Sequence, residues 1–349
     1  MMGTATKQKY DWPMVIGIVL LVSISVVILR SIAPFVFPNY FVYLAIGIIA
    51  FIFFSFVSFD ILSLFSWHFY AFSIVFLIIP LLIGQVTRGV VRWIPIGPLT
   101  LQPAEIVRPL LLVFFANFLT KKIPDLKTLL KAVGLLAIPL FLILVQPSLG
   151  VTVLTFMGFV GVLLSTGVNK KYIIGPMIVG VLCLPLLWLV LAPYQKLRIE
   201  TFLFPSQNPT GAGYNSLQSM ISVGSGKLLG RGLGQGVQTQ LLFLPERHTD
   251  FIFASVAEEL GFLGAIVLML TLFFVLSRII NLTENAQNPA ARSFCAGVFL
   301  TLLIQVVVHI GMNMGLFPIT GLPLPLVSAG GSSLIATMMT LGMVVGARK

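Results

Sequence analysis

Ten stretches of roughly twenty apolar residues follow one another along this chain, and no other property restricts its fold as much. At a rise of about 1.5 Å per residue, such a stretch crosses a hydrocarbon core of about 30 Å as a helix. A helix satisfies its own backbone amides, which lipid cannot do for it. The stretches cover residues 13–33, 40–59, 69–84, 104–119, 132–146, 149–167, 172–192, 250–277, 292–314 and 328–346. Barrel strands would alternate apolar and polar positions, and these stretches do not. Of 349 residues, 58% are hydrophobic and 9% charged, and the mean hydropathy of +1.07 is far above that of a soluble domain. The expectation is an all-α polytopic membrane protein of about ten transmembrane helices, in one domain covering residues 1–349.

The start of the chain, with Lys7 and Lys9 ahead of an apolar run, has the outline of a secretion signal. The run continues without a small-residue cleavage site, so it reads as a retained first span. A net charge of +11 would suit nucleic acid. Here, however, the basic residues fall in short loops: Lys121, Lys122, Lys127, Lys131, Lys170, Lys171, Arg278, Arg292, Arg348 and Lys349. Placing these on the cytoplasmic side puts both termini inside and a large extracellular loop, 193–249, between spans seven and eight. The charge then faces anionic membrane lipid, and no nucleic acid partner is expected. The exterior receives segments 85–103, 146–150, 193–249 and 315–327. Cys183 and Cys295 both fall inside spans and read as buried bystanders.

Chemistry is sought where charge enters apolar sequence at a cost of roughly 2.5–3.5 kcal/mol per ionised group at mid-membrane. Residues 243–264 are the strongest case, with Glu246, Arg247, His248 and Asp250 at the mouth of an apolar helix and Glu258 and Glu259 inside it. Segment 85–103 holds Arg88, Arg92 and Trp93, followed by Gln102, Glu105 and Arg108. The last two are three apart and can pair on a helix. Segment 120–131 is basic and amphipathic and reads as a cytoplasmic surface connection. Gln146 and Ser148 sit in a break between two spans. The long loop has a glycine-rich middle, 211–236, with Lys227 and Arg231, whose amides and cations suit phosphate oxygens. It reads as short helices or re-entrant pieces. The last external turn leads through prolines to Ser328, Gly330, Gly331, Ser332 and Ser333, an irregular backbone that needs shielding from lipid. His309 and Asn313, four apart on the preceding span, read as helix-packing hydrogen bonders.

Six of these stretches together resemble the SEDS family (shape, elongation, division and sporulation) of the RodA and FtsW type. They are Arg92-Trp93-Ile94 with Gln102, Pro103 and Glu105; the turn at Gln146, Pro147, Leu149 and Gly150; GYNSLQSMISVGSG at 213–226; Gly230, Gly232 and Gly236; FLPERHTDFIF at 243–253 with AEELG at 257–261; and the series from Pro318 to Ser333. Departures are Ala104 and Arg108 where the family has Ser and Lys, Ser148 where it has Asp, and Ala329 where it has Tyr. The acidic group missing at Ser148 weakens that turn's claim to a catalytic or metal-binding role, while the Asp250 motif is intact.

The resemblance implies a ten-span fold and peptidoglycan glycosyltransferase activity on the lipid-linked disaccharide-peptide lipid II, with the site on the outer face of the bacterial cytoplasmic membrane. It also implies a class B penicillin-binding protein, a transpeptidase, as partner, and leans towards the RodA-like, elongation type. On the residues alone, Asp250 serves equally as helix N-cap or as general base, and Thr249 is the alternative cap. The resemblance favours the base. Arg88, Arg92, Lys227, Arg231 and Arg247 are the candidates for holding a diphosphate leaving group, Arg92 and Arg247 foremost. Glu105, Arg108, Glu246, His248, Ser328 and Ser332 complete the expected substrate-binding set. A divalent cation, Mg2+ or Mn2+, is implied by the family and the diphosphate, with no ligands assigned. Glu258 is expected to line the cavity and Glu259 to partner a polar group on another helix. A transporter or flippase for the same lipid is the rival reading, and would need charge along the whole crossing path.

Overall fold

A computed structural model describes residues 11–83, 91–169, 171, 172, 175, 193–204 and 213–348. The expected span at 172–192, with Cys183, lies outside the described residues, as do Lys7, Lys9, Arg88, Lys170 and Lys349. The protein is mostly helical. α1 (Trp12–Ile32), α2 (Phe37–Phe56), a short α3 (Phe59–Leu64), α4 (Ser66–Ile83), α5 (Pro103–Thr120), α6 (Leu126–Val145) and α7 (Leu149–Leu164) form the first part. Three short helices follow, α8 (Pro193–Leu203), α9 (Tyr214–Ser225) and α10 (Val237–Gln240), and then the long α11 (Ile252–Asn285), α12 (Pro289–Asn313) and α13 (Gly331–Gly346). Seven of the described helices are long and apolar enough to cross a membrane, and α7 and α13 are shorter apolar helices. These nine match nine of the ten expected spans, and the protein is a multi-pass membrane protein.

Local sequence sets the helix ends. Asp11, Asp125 and Asn288 cap α1, α6 and α12 by accepting the amides of Met14, Thr128 and Ala290 at 3.0, 2.9 and 2.8 Å. The Asp125 cap moves the start of the fifth span back from the expected 132 to 126, so Lys127 and Lys131 belong to its first turns rather than to a surface connection. The bonds to Thr128 hold the Asp125 carboxyl below its usual range. Small residues let backbones meet: Gly342 and Gly346 of α13 lie on α2 beside Phe51 and Val57, and Gly161 of α7 meets Ala296 and Gly297 of α12. α5 is central, with 78% of its span buried among its neighbours.

Two features depart from an all-helical reading. Ile94–Ile96 (β1) pairs antiparallel with Leu99–Leu101 (β2) through a two-residue turn in which Gly97 has φ 60°. The Tyr43 hydroxyl clamps this hairpin to α2, donating to the Thr100 carbonyl at 2.8 Å and accepting its amide at 2.7 Å. The other departure is α11, expected to end at 277 but running to Asn285 and broken at Gly261, where φ is 69° and ψ −165°. The glycine-rich loop fills the break. The carbonyls of Lys227 and Leu228 accept the amides of Phe262 and Leu263, while the amides of Arg231 and Gly232 donate to the carbonyls of Glu258 and Glu259. Backbone groups that lipid would leave orphaned are thereby paired.

The two ends of the bundle differ. At one end Arg278 pairs with Asp11 at 2.9 Å, Arg292 donates to the Ala286 carbonyl at 3.2 Å, Asn288 donates to Asp60, and Ser165 donates to Ser293. At the other end lie the hairpin, α8 to α10, the turn before α11 and residues 315–330.

Candidate active site

That second end opens into a cleft of about 330 Å3. Its walls come from six places in the chain: Arg92, Trp93, Gln102 and Glu105 from the hairpin and the first turn of α5; residues 147–151 opening α7; Gln195, Arg198 and Ile199 on one face of α8; Glu246, Thr249 and Asp250; residues 318–323; and Gly330, Ser332 and Ser333 at the start of α13.

Asp250 is half-buried, and the turn that presents it is fixed by its backbone. The carbonyls of His248, Thr249 and Asp250 each accept a bond from the last third of the chain, from the Ala329 amide at 2.9 Å, Ser328 Oγ at 2.7 Å and Asn313 Nδ2 at 3.0 Å. Within the turn, the amides of Thr249 and Phe251 donate to the Glu246 carbonyl, and Glu246 itself adopts φ 48°. The Asp250 carboxylate stands over Gly321, whose φ is 70°; a Cβ there would sit 3.6 Å from Oδ2. The N-cap of α11 is Phe251, with no side-chain cap bond. The N-cap position is therefore held by neither Asp250 nor Thr249, and Thr249 Oγ1 donates to Glu246 Oε2 at 2.8 Å.

The cleft holds two described arginines. Arg92 lies over the Trp93 ring at 5.8 Å from its centroid. Arg198, which the sequence reading passed over, donates through Nη1 to the Ile319 carbonyl at 2.9 Å. The signal for it was present: Gln195, Arg198 and Ile199 are spaced to share one helix face. On the floor, Glu105 pairs with Arg108 at 2.9 Å, with 2% and 4% of their surfaces exposed. Ser332 Oγ accepts the Gln102 amide at 2.8 Å, and Gln102 Nε2 donates to Ser148 Oγ at 3.3 Å.

A family model described as a cell cycle protein of the FtsW, RodA and SpoVE type matches residues 10–349. The chain belongs to the SEDS family. Its curated relatives include the peptidoglycan glycosyltransferase MrdB of Escherichia coli K12, 37% identical over 281 residues that make up 80% of this chain and 76% of that one. A probable peptidoglycan glycosyltransferase FtsW of Shewanella sediminis is 36% identical over 267 residues, 74% of this chain and 65% of that one. Among solved structures, a chain from "Structural coordination of polymerization and crosslinking by a peptidoglycan synthase complex" superposes with a TM-score of 0.85 at 30% identity, covering 97% of both chains. The rod shape determining protein RodA of Thermus thermophilus, as an aspartate-to-alanine mutant, superposes with a TM-score of 0.74 at 29% identity, again covering 97% of both chains.

Not every residue expected at the SEDS site reaches the cleft. Arg247 turns away: its Nε donates at 3.0 Å to the carbonyl of Ile32, at the end of α1, where a cation complements the helix dipole. Burial pushes its guanidinium below the usual value. His248 lies edge-on to Phe35 at 5.6 Å. Lys227 and Arg231 are exposed on the glycine loop, where Arg231 Nε donates to Ser225 Oγ at 3.2 Å. Arg108 faces a separate void of about 10 Å3. Ser328 is occupied as a latch, donating to Thr249 and accepting the Leu324 amide at 2.8 Å.

Glu258 does not line the cleft either. It is fully buried and accepts the amides of Gln238 and Thr239 at 2.8 and 3.0 Å and Ser222 Oγ at 3.1 Å, so it anchors α9 and α10 to α11. Glu259 accepts from Gln240 Nε2 of α10 at 2.9 Å, the polar partner on another helix that was expected, and from the Gly234 amide at 3.3 Å.

Proposed function

We infer that the protein is a peptidoglycan glycosyltransferase that polymerises glycan strands for cell-wall synthesis, with lipid II as its substrate. The observation that carries the mechanistic reading is the Asp250 carboxylate held by a rigid turn in a cleft that it shares with Arg92 and Arg198.

Chain growth joins a sugar hydroxyl of one substrate to the anomeric carbon of another. The hydroxyl is a poor nucleophile near neutral pH, and Asp250 accepts its proton as the new C–O bond forms. The bond from the anomeric carbon to the diphosphate oxygen breaks at the same time, and the lipid diphosphate leaves with the electron pair. That group is already activated, so it needs charge stabilisation more than a proton. Arg92 and Arg198 supply it, with forked donors suited to phosphate oxygens. A single displacement inverts the anomeric centre, turning an α-linked diphosphate sugar into a β-linked glycan. Gln102, Ser148 and Ser332 offer the neutral polar groups that orient carbohydrate.

The donor set also fits a divalent cation. Among the described residues no three His, Cys, Asp or Glu side chains gather into a metal cage, but Mg2+ commonly takes one or two carboxylates together with substrate phosphates. Glu246 is the residue that would hold it, and the ion would supply further charge stabilisation to the diphosphate.

The site faces outward from the bacterial cytoplasmic membrane, opposite the basic end of the bundle. A class B penicillin-binding protein is the partner that cross-links the product, a reading supported by the solved relative's complex of polymerization and crosslinking. The gathering of the cleft's charged groups at one end of the bundle favours surface chemistry over transport.

The test gives purified protein lipid II with Mg2+ or Mn2+ and resolves products by size. Polymer from the wild type and none from Asp250→Ala is expected; equal polymer from both would falsify the role of Asp250.

A further inference from the structure

The helix that follows Asp250 has no side-chain cap at its N-cap residue. Its N-cap position belongs to Phe251, whose ring offers no acceptor, although the first amides of a helix need one. The acceptor for the amide of Ala254, three residues past the cap, comes from a different helix. Asn313, near the end of α12, sets its Oδ1 3.1 Å from that nitrogen. The Nδ2 of the same side chain donates to the Asp250 carbonyl at 3.0 Å and to the His309 carbonyl at 2.7 Å. Asn313 is fully buried, and Ser219 Oγ of α9 donates to its backbone carbonyl at 2.9 Å. One carboxamide thus grips the chain on both sides of Phe251, at the residue that carries the carboxylate and inside the turn that follows it.

We propose that Asn313 is a positioning residue for glycan polymerisation: by capping α11 from α12, it sets the depth and direction at which Asp250 enters the cleft. The task needs a donor and an acceptor on one short planar group, which among side chains of this size only a carboxamide provides. Ser328 and Ala329 hold the turn upstream of Asp250, and Asn313 holds it at Asp250 and downstream. Without Asn313 the Asp250 carbonyl loses a partner and the first turn of α11 loses its cap, so the carboxylate is free to shift against the bound hydroxyl. A misplacement of about 1 Å is enough to slow a positioned reaction by on the order of 100-fold. The proposal rests on Asp250 acting on the acceptor hydroxyl.

The experiment measures kcat and KM for lipid II polymerisation, and the thermal unfolding midpoint in detergent, for the wild type, Asp250→Asn, Asn313→Leu and Asn117→Leu. Asn117 is the control: its carboxamide donates to the Ser63 carbonyl and Ser66 Oγ at the opposite end of the bundle. In Asn313→Leu, kcat falls roughly 10- to 100-fold with KM within about twofold, the pattern of an interaction lost in the transition state alone. Asn117→Leu lowers the thermal midpoint but keeps kcat. Should Asn313→Leu retain its kcat while Asp250→Asn is inactive, the positioning role falls and the base stands. A loss of kcat in both leucine variants that tracks their unfolding midpoints overturns it as well, by reducing Asn313 to a packing residue. Full activity in Asp250→Asn overturns both readings together.

Discussion

Asp250, Glu258 and Glu259 are close in sequence and share a charge, but each does something different, and what separates them is the partners that packing brings to each. Asp250 reaches the cleft, while Glu258 spends both oxygens on loop amides and a serine. Replacing Glu258 by Gln turns an acceptor into a donor facing an amide. This leaves one buried N–H unpaired at a cost of about 1–3 kcal/mol, and the thermal midpoint should drop accordingly; an unchanged midpoint would contradict the anchoring role. The cations differ in the same way. Arg198→Ala should raise the KM for lipid II roughly 10-fold by removing one charge-assisted contact to the diphosphate, whereas Arg231→Ala, outside the cleft, should leave kinetics near wild type. A similar loss in both variants would mean that the glycine loop reaches the substrate.

Among the elements, α11 shows best how much the sequence revealed. Its apolar length and its charged mouth are readable directly, and so are the glycines at 226, 230 and 261. That these glycines meet one another is not, because the sequence carries no sign of which backbones touch. Gly261, with φ 69°, lies so close to the Gly230 amide and the Leu229 carbonyl that a side chain has no room. Gly261→Ala combines a left-handed conformation costing about 1–3 kcal/mol with a backbone clash. The expected result is little folded protein, read as aggregation by size-exclusion chromatography; a monodisperse variant with the wild-type midpoint would exclude the interlocked break. The hairpin at 94–101 escaped the sequence reading because its two strands are three residues each, too short to show an alternating pattern.

At the scale of the whole molecule, the charged groups among the described residues gather towards the two ends of the bundle. A cysteine at Leu229, 74% exposed beside the glycine loop, should react with a membrane-impermeant maleimide on intact cells, and one at Ile123, 81% exposed at the basic end, only after permeabilisation. The native cysteines are replaced first for this test, and the reverse pattern would invert the orientation. By itself the sequence determined the class of fold, since a bilayer admits only backbones that satisfy their own hydrogen bonds, and helices of this length do so. It also carried the family, in motifs strung in order along the chain, and it pointed to Asp250. Tertiary structure alone decided which charges share the cleft with that carboxylate. Arg198 enters from α8, while Arg247, only three residues from Asp250, turns to the end of α1. Proximity in a folded chain depends on which helix faces pack together, and neighbours in sequence at the mouth of a helix point in different directions.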